Sequence, residues 1–172
     1  VSVVVDCSEV EVPVSEVIVL VPVLRRPQNV APLVASFDAS DTPGRLLFLV
    51  DADDDPEIIA LDDEGQDYHF TSETAWPFKI NHGYRWTHEP WILCAADDVH
   101  FHPGWFQATK PLRDAGYSVI GTNDLGNPRV LAGEHTTHPL IRREYVDKFG
   151  TIDEPVKVVH EGYRHWAVDD EL

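Results

Sequence analysis

The stretch 92-ILCAADDVHFHPGWF-106 decides how the rest of the chain is read. An apolar run suited to a buried strand ends in two adjacent aspartates, Asp97 and Asp98, then Val99 and two alternating histidines, His100 and His102, before Pro103 and Gly104. Neighbouring carboxylates repel each other and resist desolvation, so folding alone supplies no reason to put them at the mouth of a sheet. A positive partner, first of all a metal cation, is expected there.

Working outward, the same arrangement recurs. Val17 to Leu24, "VIVLVPVL", is a β-branched run ending in "RRPQN", and Leu46 to Val50 is a second apolar run ending in "DADDD". Continuous apolar runs of this length read as strands buried on both faces. Between them, Val30, Leu33, Val34 and Phe37 follow the i, i+3, i+4, i+7 spacing of a helix packed on a sheet. Pro56 to Gly65 fits a short helix with proline in its first turn and glycine after its end. Tyr68 to Thr87 is less regular, and a helix is expected to begin near Ile80 to Gly83. Trp91 to Ala96 is the next strand. "PGWFQATKPLRDAG" reads as a helix interrupted at Pro111, "YSVIGTND" as a strand, and Arg142 to Phe149 as a helix. Alternating strands and helices predict an α/β fold with a mainly parallel sheet and helices on both faces, and such sheets bind ligands at the carboxyl ends of their strands. Arg25 and Arg26, Asp51 and Asp53, and Asp97 and Asp98 follow three successive strong strands, so charge is expected to converge on one crevice.

The length of 172 residues, with 43% hydrophobic residues and five tryptophans, suits a single domain, 1–172, with a substantial core. No apolar run approaches the roughly 20 residues of a membrane span. Cys7 and Cys94 lie in strand-like runs and are read as reduced, core-forming thiols of a cytoplasmic protein. Thirty acids against 13 bases give a net charge of −17. That charge disfavours binding to a nucleic-acid backbone.

The ordered motifs "VLVPVLRRP", "LFLVDADDD", "KINHG", "CAADDVHFHPGWF" and "VDDEL" resemble the GT-A (Rossmann-like) fold of the family 2 nucleotide-sugar glycosyltransferases, over about Val17 to Leu172. The resemblance implies a metal-dependent transferase using a nucleotide-sugar donor. It implies that Pro22, Val23, Leu24 and Arg25 hold the nucleotide, that Asp51 bonds the base, and that Lys79, Asn81 and Gly83 of "KINHG", set at a helix start, line the same pocket. Asp53, Asp54 and Asp55 are read instead as a solvated helix start. The family's metal motif is Asp-x-Asp, and here Ala96 stands where the first acid belongs. Asp98 is then the carboxylate for Mn²⁺ or Mg²⁺, Asp97 belongs to the nucleotide, and His160 or His165 is expected to supplement the metal shell.

In "VDDEL", the resemblance implies that Asp169 or Asp170 deprotonates the acceptor. Spacing to Leu172 favours Asp169, and matching the paired acids favours Asp170. The loops "GEHTTHP" and "YRHW" are expected near sugar and acceptor. A chain stopping directly after the base is expected to lack an acceptor-binding element. The reading is an inverting glycosyltransferase moving a sugar, uridine-linked by expectation, to a hydroxyl acceptor on a glycan, protein or small molecule. Its rivals are a metal-dependent phosphohydrolase using Asp97, Asp98, His100 and His102, a nucleotidyltransferase, for which the loop "PVLRRPQ" lacks the expected glycines, and a non-catalytic sugar-nucleotide-binding module.

Overall fold

Alternate residues of the first strand point to opposite faces of the sheet and both sets are buried, which is why the sequence there is uninterruptedly apolar. In the computed structural model, which describes residues 15–151 and 154–162, this strand is β1 (Val17–Pro22). Val17, Val19 and Val21 join one core layer, and Ile18 and Leu20 join the other. The remaining strands are β2 (Gly44–Asp51), β3 (Tyr68–Thr71), β4 (Trp91–Cys94), β5 (Val119–Gly121) and β6 (Pro139–Arg142). They form one sheet of six strands in the order β3-β2-β1-β4-β6-β5, in which β3, β2, β1 and β4 are parallel and β6 is antiparallel to both its neighbours.

Helix α1 (Val30–Asp38) covers one face through Val30, Leu33, Val34 and Phe37, the four residues whose spacing predicts it, and α2 (Asp55–Asp63) joins that layer through Leu61. The opposite face is covered by α3 (Trp76–Arg85) and α7 (Arg143–Lys148), with Ile80, Tyr84 and Val146 in the second core layer. Three shorter helices, α4 (Trp105–Ala108), α5 (Lys110–Asp114) and α6 (Pro128–Leu131), lie between β4 and β6 in the chain. The predicted helix through Pro111 is thus two pieces that meet at Thr109.

Sequence reading misses β3 and β6. β3 is a four-residue edge strand, and β6 starts with a proline, which cannot donate to a ladder and so weakens the strand signal. It also starts α3 too late. Pro77 in the first turn marks the true beginning at Trp76, so "KINHG" occupies the middle of the helix rather than its start.

Two of those "KINHG" residues serve the packing. A Cβ on Gly83 would meet Leu20 Cδ2 at 2.9 Å and Leu49 Cδ1 at 3.0 Å, so the missing side chain lets α3 approach β1 and β2. Asn81, fully buried, donates to the Val159 carbonyl at 2.8 Å and accepts from the amides of Val158 and Val159 at 2.9 and 3.2 Å. It clips the segment after α7 onto the second core layer. Among the described residues no helix is long and apolar enough to cross a membrane.

Removing the clip strands two backbone donors and a carbonyl in a dry environment. Asn81→Ala is therefore expected to lower unfolding free energy by roughly 2–4 kcal/mol in urea titration, with Val158 and Val159 amides gaining hydrogen exchange ahead of those in β1.

Candidate functional site

The strand order runs outward from β1 in both directions, to β2 on one side and β4 on the other, so the sheet has its switch point between β1 and β4. The loops leaving neighbouring strand ends diverge at such a point and open a crevice. The β1 loop brings Arg25 and Arg26, the end of β2 brings Asp51, and the β4 loop brings Asp97 and Asp98.

The floor is a buried ion pair. Lys79 Nζ, from α3, lies 2.7 Å from Asp51 Oδ1 at the last residue of β2 and donates to the Val23 carbonyl just past β1 at 2.7 Å. Lys79 and Asp51 are 1% and 4% exposed. The ammonium expected at a phosphate is instead held beneath the loop by Asp51 and Val23, and Asp51 is committed to that ammonium and to a long contact from the Thr71 hydroxyl at 3.4 Å.

Above this floor the β1 loop is strapped to the β2–α2 turn. Arg25 takes a left-handed conformation, φ 53°, unusual for a side chain of its size, and its amide donates to Asp54 Oδ2 at 2.7 Å. The Arg26 amide donates to Glu57 Oε2 at 2.9 Å. Asp54 is 4% exposed, which corrects the expectation of a wholly solvated "DDD" start: Asp53 and Asp55 are exposed, while Asp54 faces inward to hold Arg25. Nothing in the sequence separates Asp54 from its neighbours, because the bond spans 29 residues.

The Arg26 guanidinium closes the crevice by bonding Asp97 Oδ1 through Nη2 and Asp98 Oδ2 through Nη1, the latter at 3.3 Å. Asp97 is almost wholly buried, whereas the side chain of Asp98 is 62% exposed. Burial pushes the Asp97 carboxyl above its ordinary range; Arg26 pulls it back and Asp98 pushes it up again. Glu57 is also pushed up, first by burial, then against its bond from Arg26 by the charges of Asp54 and Asp97. Asp97 Oδ2 and Glu57 Oε1 are buried without a hydrogen-bond partner. The residue that joins the strand ends is thus Arg26, where sequence reading favours Arg25.

Beside Asp98 lies a cavity of about 140 Å³ lined by His100, His102, Trp105, Thr122, Asp124 and His138, among others. His138 comes from "GEHTTHP", and its Nδ1 lies 3.2 Å from the Cys94 carbonyl at the end of β4. Trp105, at the start of α4, and Thr122 and Asp124, on the loop after β5, escape sequence reading because their meeting depends on β5 and β6 pairing beside β4. Of the remaining sequence candidates, Pro22, Val23 and Leu24 run from the end of β1 into the crevice loop, with Leu24 exposed. His160 accepts from the Gly162 amide through Nδ1. His165, Asp169 and Asp170 lie outside the described residues.

Among the described residues no three His, Cys, Asp or Glu side chains converge as a metal cage. The phosphohydrolase set of Asp97, Asp98, His100 and His102 is therefore not assembled. The donors that are present fit a different arrangement. Asp98 offers an exposed hard-oxygen ligand of the kind that holds Mn²⁺ or Mg²⁺ when a substrate diphosphate fills the rest of the shell.

The sequence matches no protein-family model and no curated protein. Its structure is similar to mannosyltransferase PcManGT from Pyrobaculum calidifontis in complex with GDP-Man and Mn²⁺, with TM-score 0.67 and 13% identity, over 91% of this chain and 50% of that one. The fold is GT-A. Two further GT-A structures are similar. Glucosyl-3-phosphoglycerate synthase from Mycobacterium tuberculosis, in complex with Mn²⁺, UDP and glucosyl-3-phosphoglycerate, gives TM-score 0.60 and 10% identity over 78% of this chain and 59% of that one. S. aureus TarS 1-349 gives TM-score 0.55 and 11% identity over 81% and 51%. The chain thus spans between half and three-fifths of the length of these GT-A proteins.

The raised Glu57 carboxyl sets a pH dependence. A carboxyl raised on folding favours the folded state while protonated, and that contribution is lost as pH climbs from the ordinary carboxylate range through the raised value. Glu57→Gln keeps an acceptor for the Arg26 amide and carries no charge. It is expected to raise the melting temperature at pH 7, with the gain shrinking toward pH 4 in thermal melts across that range.

Proposed function

We propose that this chain is an inverting glycosyltransferase that moves a sugar from a nucleoside diphosphate donor to a hydroxyl acceptor. The observation that carries the proposal is the convergence of the Arg26 guanidinium with the exposed Asp98 carboxylate at the switch point of a GT-A sheet. A nucleoside diphosphate needs cationic donors for its phosphates and a carboxylate for its counter-ion. Both occur there within one hydrogen bond of each other.

In this reading the β1 loop, Pro22 to Arg26, borders the nucleoside, and Asp51 with Lys79 supports that loop from below. Lys79 fixes the Val23 carbonyl rather than a phosphate. Asn81 and Gly83 hold α3 and the segment after α7 in place, supporting the pocket without lining it. Asp98 would hold the Mn²⁺ or Mg²⁺, with His160 or His165 as the supplementary ligand. When bound, the ion neutralises charge on the departing diphosphate. The cavity bounded by Trp105, His100, His102 and His138 offers an aromatic face and hydrogen-bonding groups of the kind that recognise sugars.

Transfer is one displacement. The acceptor oxygen bonds the anomeric carbon as the bond from that carbon to the diphosphate oxygen breaks, and the nucleoside diphosphate leaves with the electron pair. The acceptor proton passes to a carboxylate, assigned to Asp169 or Asp170, and attack from the face opposite the leaving group inverts the centre. The acceptor and any further element that binds it belong to the same proposal.

Calorimetry with UDP, GDP and TDP, with and without Mn²⁺, tests the donor site. Asp98→Asn is expected to weaken Mn²⁺-dependent diphosphate binding at least tenfold, while Asp53→Asn, on an exposed neighbouring acid, leaves it unchanged. Equal effects would show that bulk negative charge, not a site, is being read. Asp54 is unsuitable as the control because it holds Arg25. For the base, the Asn variant of the correct member of Asp169 and Asp170 is expected to bind donor normally and to lose roughly 100-fold or more in turnover. Wild-type turnover in both variants removes this assignment, and donor binding with no turnover in the parent supports a binding module instead.

A further inference from the structure

We propose that Arg26 is a built-in counter-cation of the donor site, which occupies Asp98 until a divalent cation replaces it and then turns its guanidinium to the donor's diphosphate. The inference rests on the donor-site reading above and adds a positioning residue that couples the two ligands. It stands on four features of the Arg26 environment.

The first is that one guanidinium serves both acids at the end of β4, one nitrogen to each. The second is that its two bonds differ in kind. Asp97 is 2% exposed, so its bond is sheltered; the Asp98 bond, at 3.3 Å between side chains 48% and 62% exposed, is screened by water and weak. An arriving divalent ion therefore takes Asp98 from Arg26 far more easily than Asp97. The third is that the main chain of Arg26 is fixed independently of its side chain. The amides of Arg25 and Arg26 are held by Asp54 and Glu57, and Pro27 begins a 3-10 turn immediately afterwards. The guanidinium can pivot on Asp97 without the loop moving.

The fourth is a matter of valence. A guanidinium has five donors in a fixed fork, so a nitrogen released from Asp98 still has a neighbour bonded to Asp97 and presents its N–H groups as a pair suited to phosphate oxygens. Cation and diphosphate are then coupled through this chain as well as through their direct contact: the cation releases Arg26, and Arg26 engages the diphosphate. Linkage makes the coupling reciprocal.

The counter-cation role makes a prediction opposite to that of a residue that merely holds the acids in place. Mn²⁺ is titrated into nucleotide-free wild-type protein, Arg26→Gln and Arg26→Lys, and UDP and GDP are titrated into each at saturating Mn²⁺ and again in EDTA. Both variants are expected to bind Mn²⁺ alone about three- to tenfold more tightly, because the competitor for an exposed carboxylate is gone or shortened. At saturating Mn²⁺, Arg26→Gln is expected to bind the preferred nucleoside diphosphate about tenfold more weakly than wild type, and the difference is expected to shrink in EDTA, where Arg26 of the wild type stays on Asp98. Arg26→Lys keeps a charge beside buried Asp97 but cannot fork across both acids, and so provides a folded comparison if the glutamine variant proves unstable.

Unchanged or weaker Mn²⁺ binding in the variants overturns the proposal, as does no Mn²⁺ binding by any of the three proteins at millimolar concentration. Tighter Mn²⁺ binding with no diphosphate binding in any protein keeps the competition between Arg26 and the cation but removes both the coupling and the donor-site reading. Tighter Mn²⁺ binding with undiminished diphosphate binding at saturating Mn²⁺ removes the coupling alone.

Discussion

The contact on which the crevice depends is the one between Lys79 and Asp51. An ammonium and a carboxylate with almost no exposure lose most of their hydration, and each is tolerable only because the other lies 2.7 Å away. The pair ties α3 to the end of β2, and the second bond from Lys79, to the Val23 carbonyl, ties both to the residue where β1 becomes loop. Breaking such a pair from one side leaves an uncompensated buried charge, which is typically costlier than the intact pair is stabilising. The position of the loop that carries Arg25 and Arg26 is therefore set from beneath, by groups that do not themselves face the solvent.

On that floor the crevice gathers negative charge around few positive groups. Asp54, Glu57 and Asp97 are buried about the Arg25–Arg26 segment, with Asp98 exposed at the rim. Two of the buried acids are answered by backbone amides and the third by a guanidinium. Two buried carboxylate oxygens keep no partner, and the Glu57 and Asp97 carboxyls are both pushed toward their protonated forms, chiefly by burial. An arrangement so short of positive charge favours an incoming cation. It also explains why the one exposed acid of the group, rather than the buried ones, is suited to meet it.

The strong elements were legible because their signals are local. Unbroken apolar runs specify β1, β2 and β4; helical spacing specifies α1; and acids placed directly after strands specify the end of the sheet at which chemistry would gather. The roles of individual residues were less legible. Lys79 reads as a phosphate ligand from its motif and is buried beneath the loop; Asn81 reads as a pocket residue and clips the segment after α7. Arg25 and Arg26 are indistinguishable as letters. The backbone separates them by giving Arg25 a left-handed conformation and directing the Arg26 side chain to Asp97 and Asp98.

By itself the sequence determined the α/β class, the parallel core of the sheet and the strand ends that carry charge, because hydrophobic period and strand termini are properties of neighbouring residues. Tertiary structure alone decided which charges are buried, which pair with one another and which remain exposed. The bonds from Arg25 to Asp54, Arg26 to Asp98 and Asn81 to Val159 span 29, 72 and 78 residues. Their partners are chosen by strand order and helix placement, and no local pattern records a choice made at that separation.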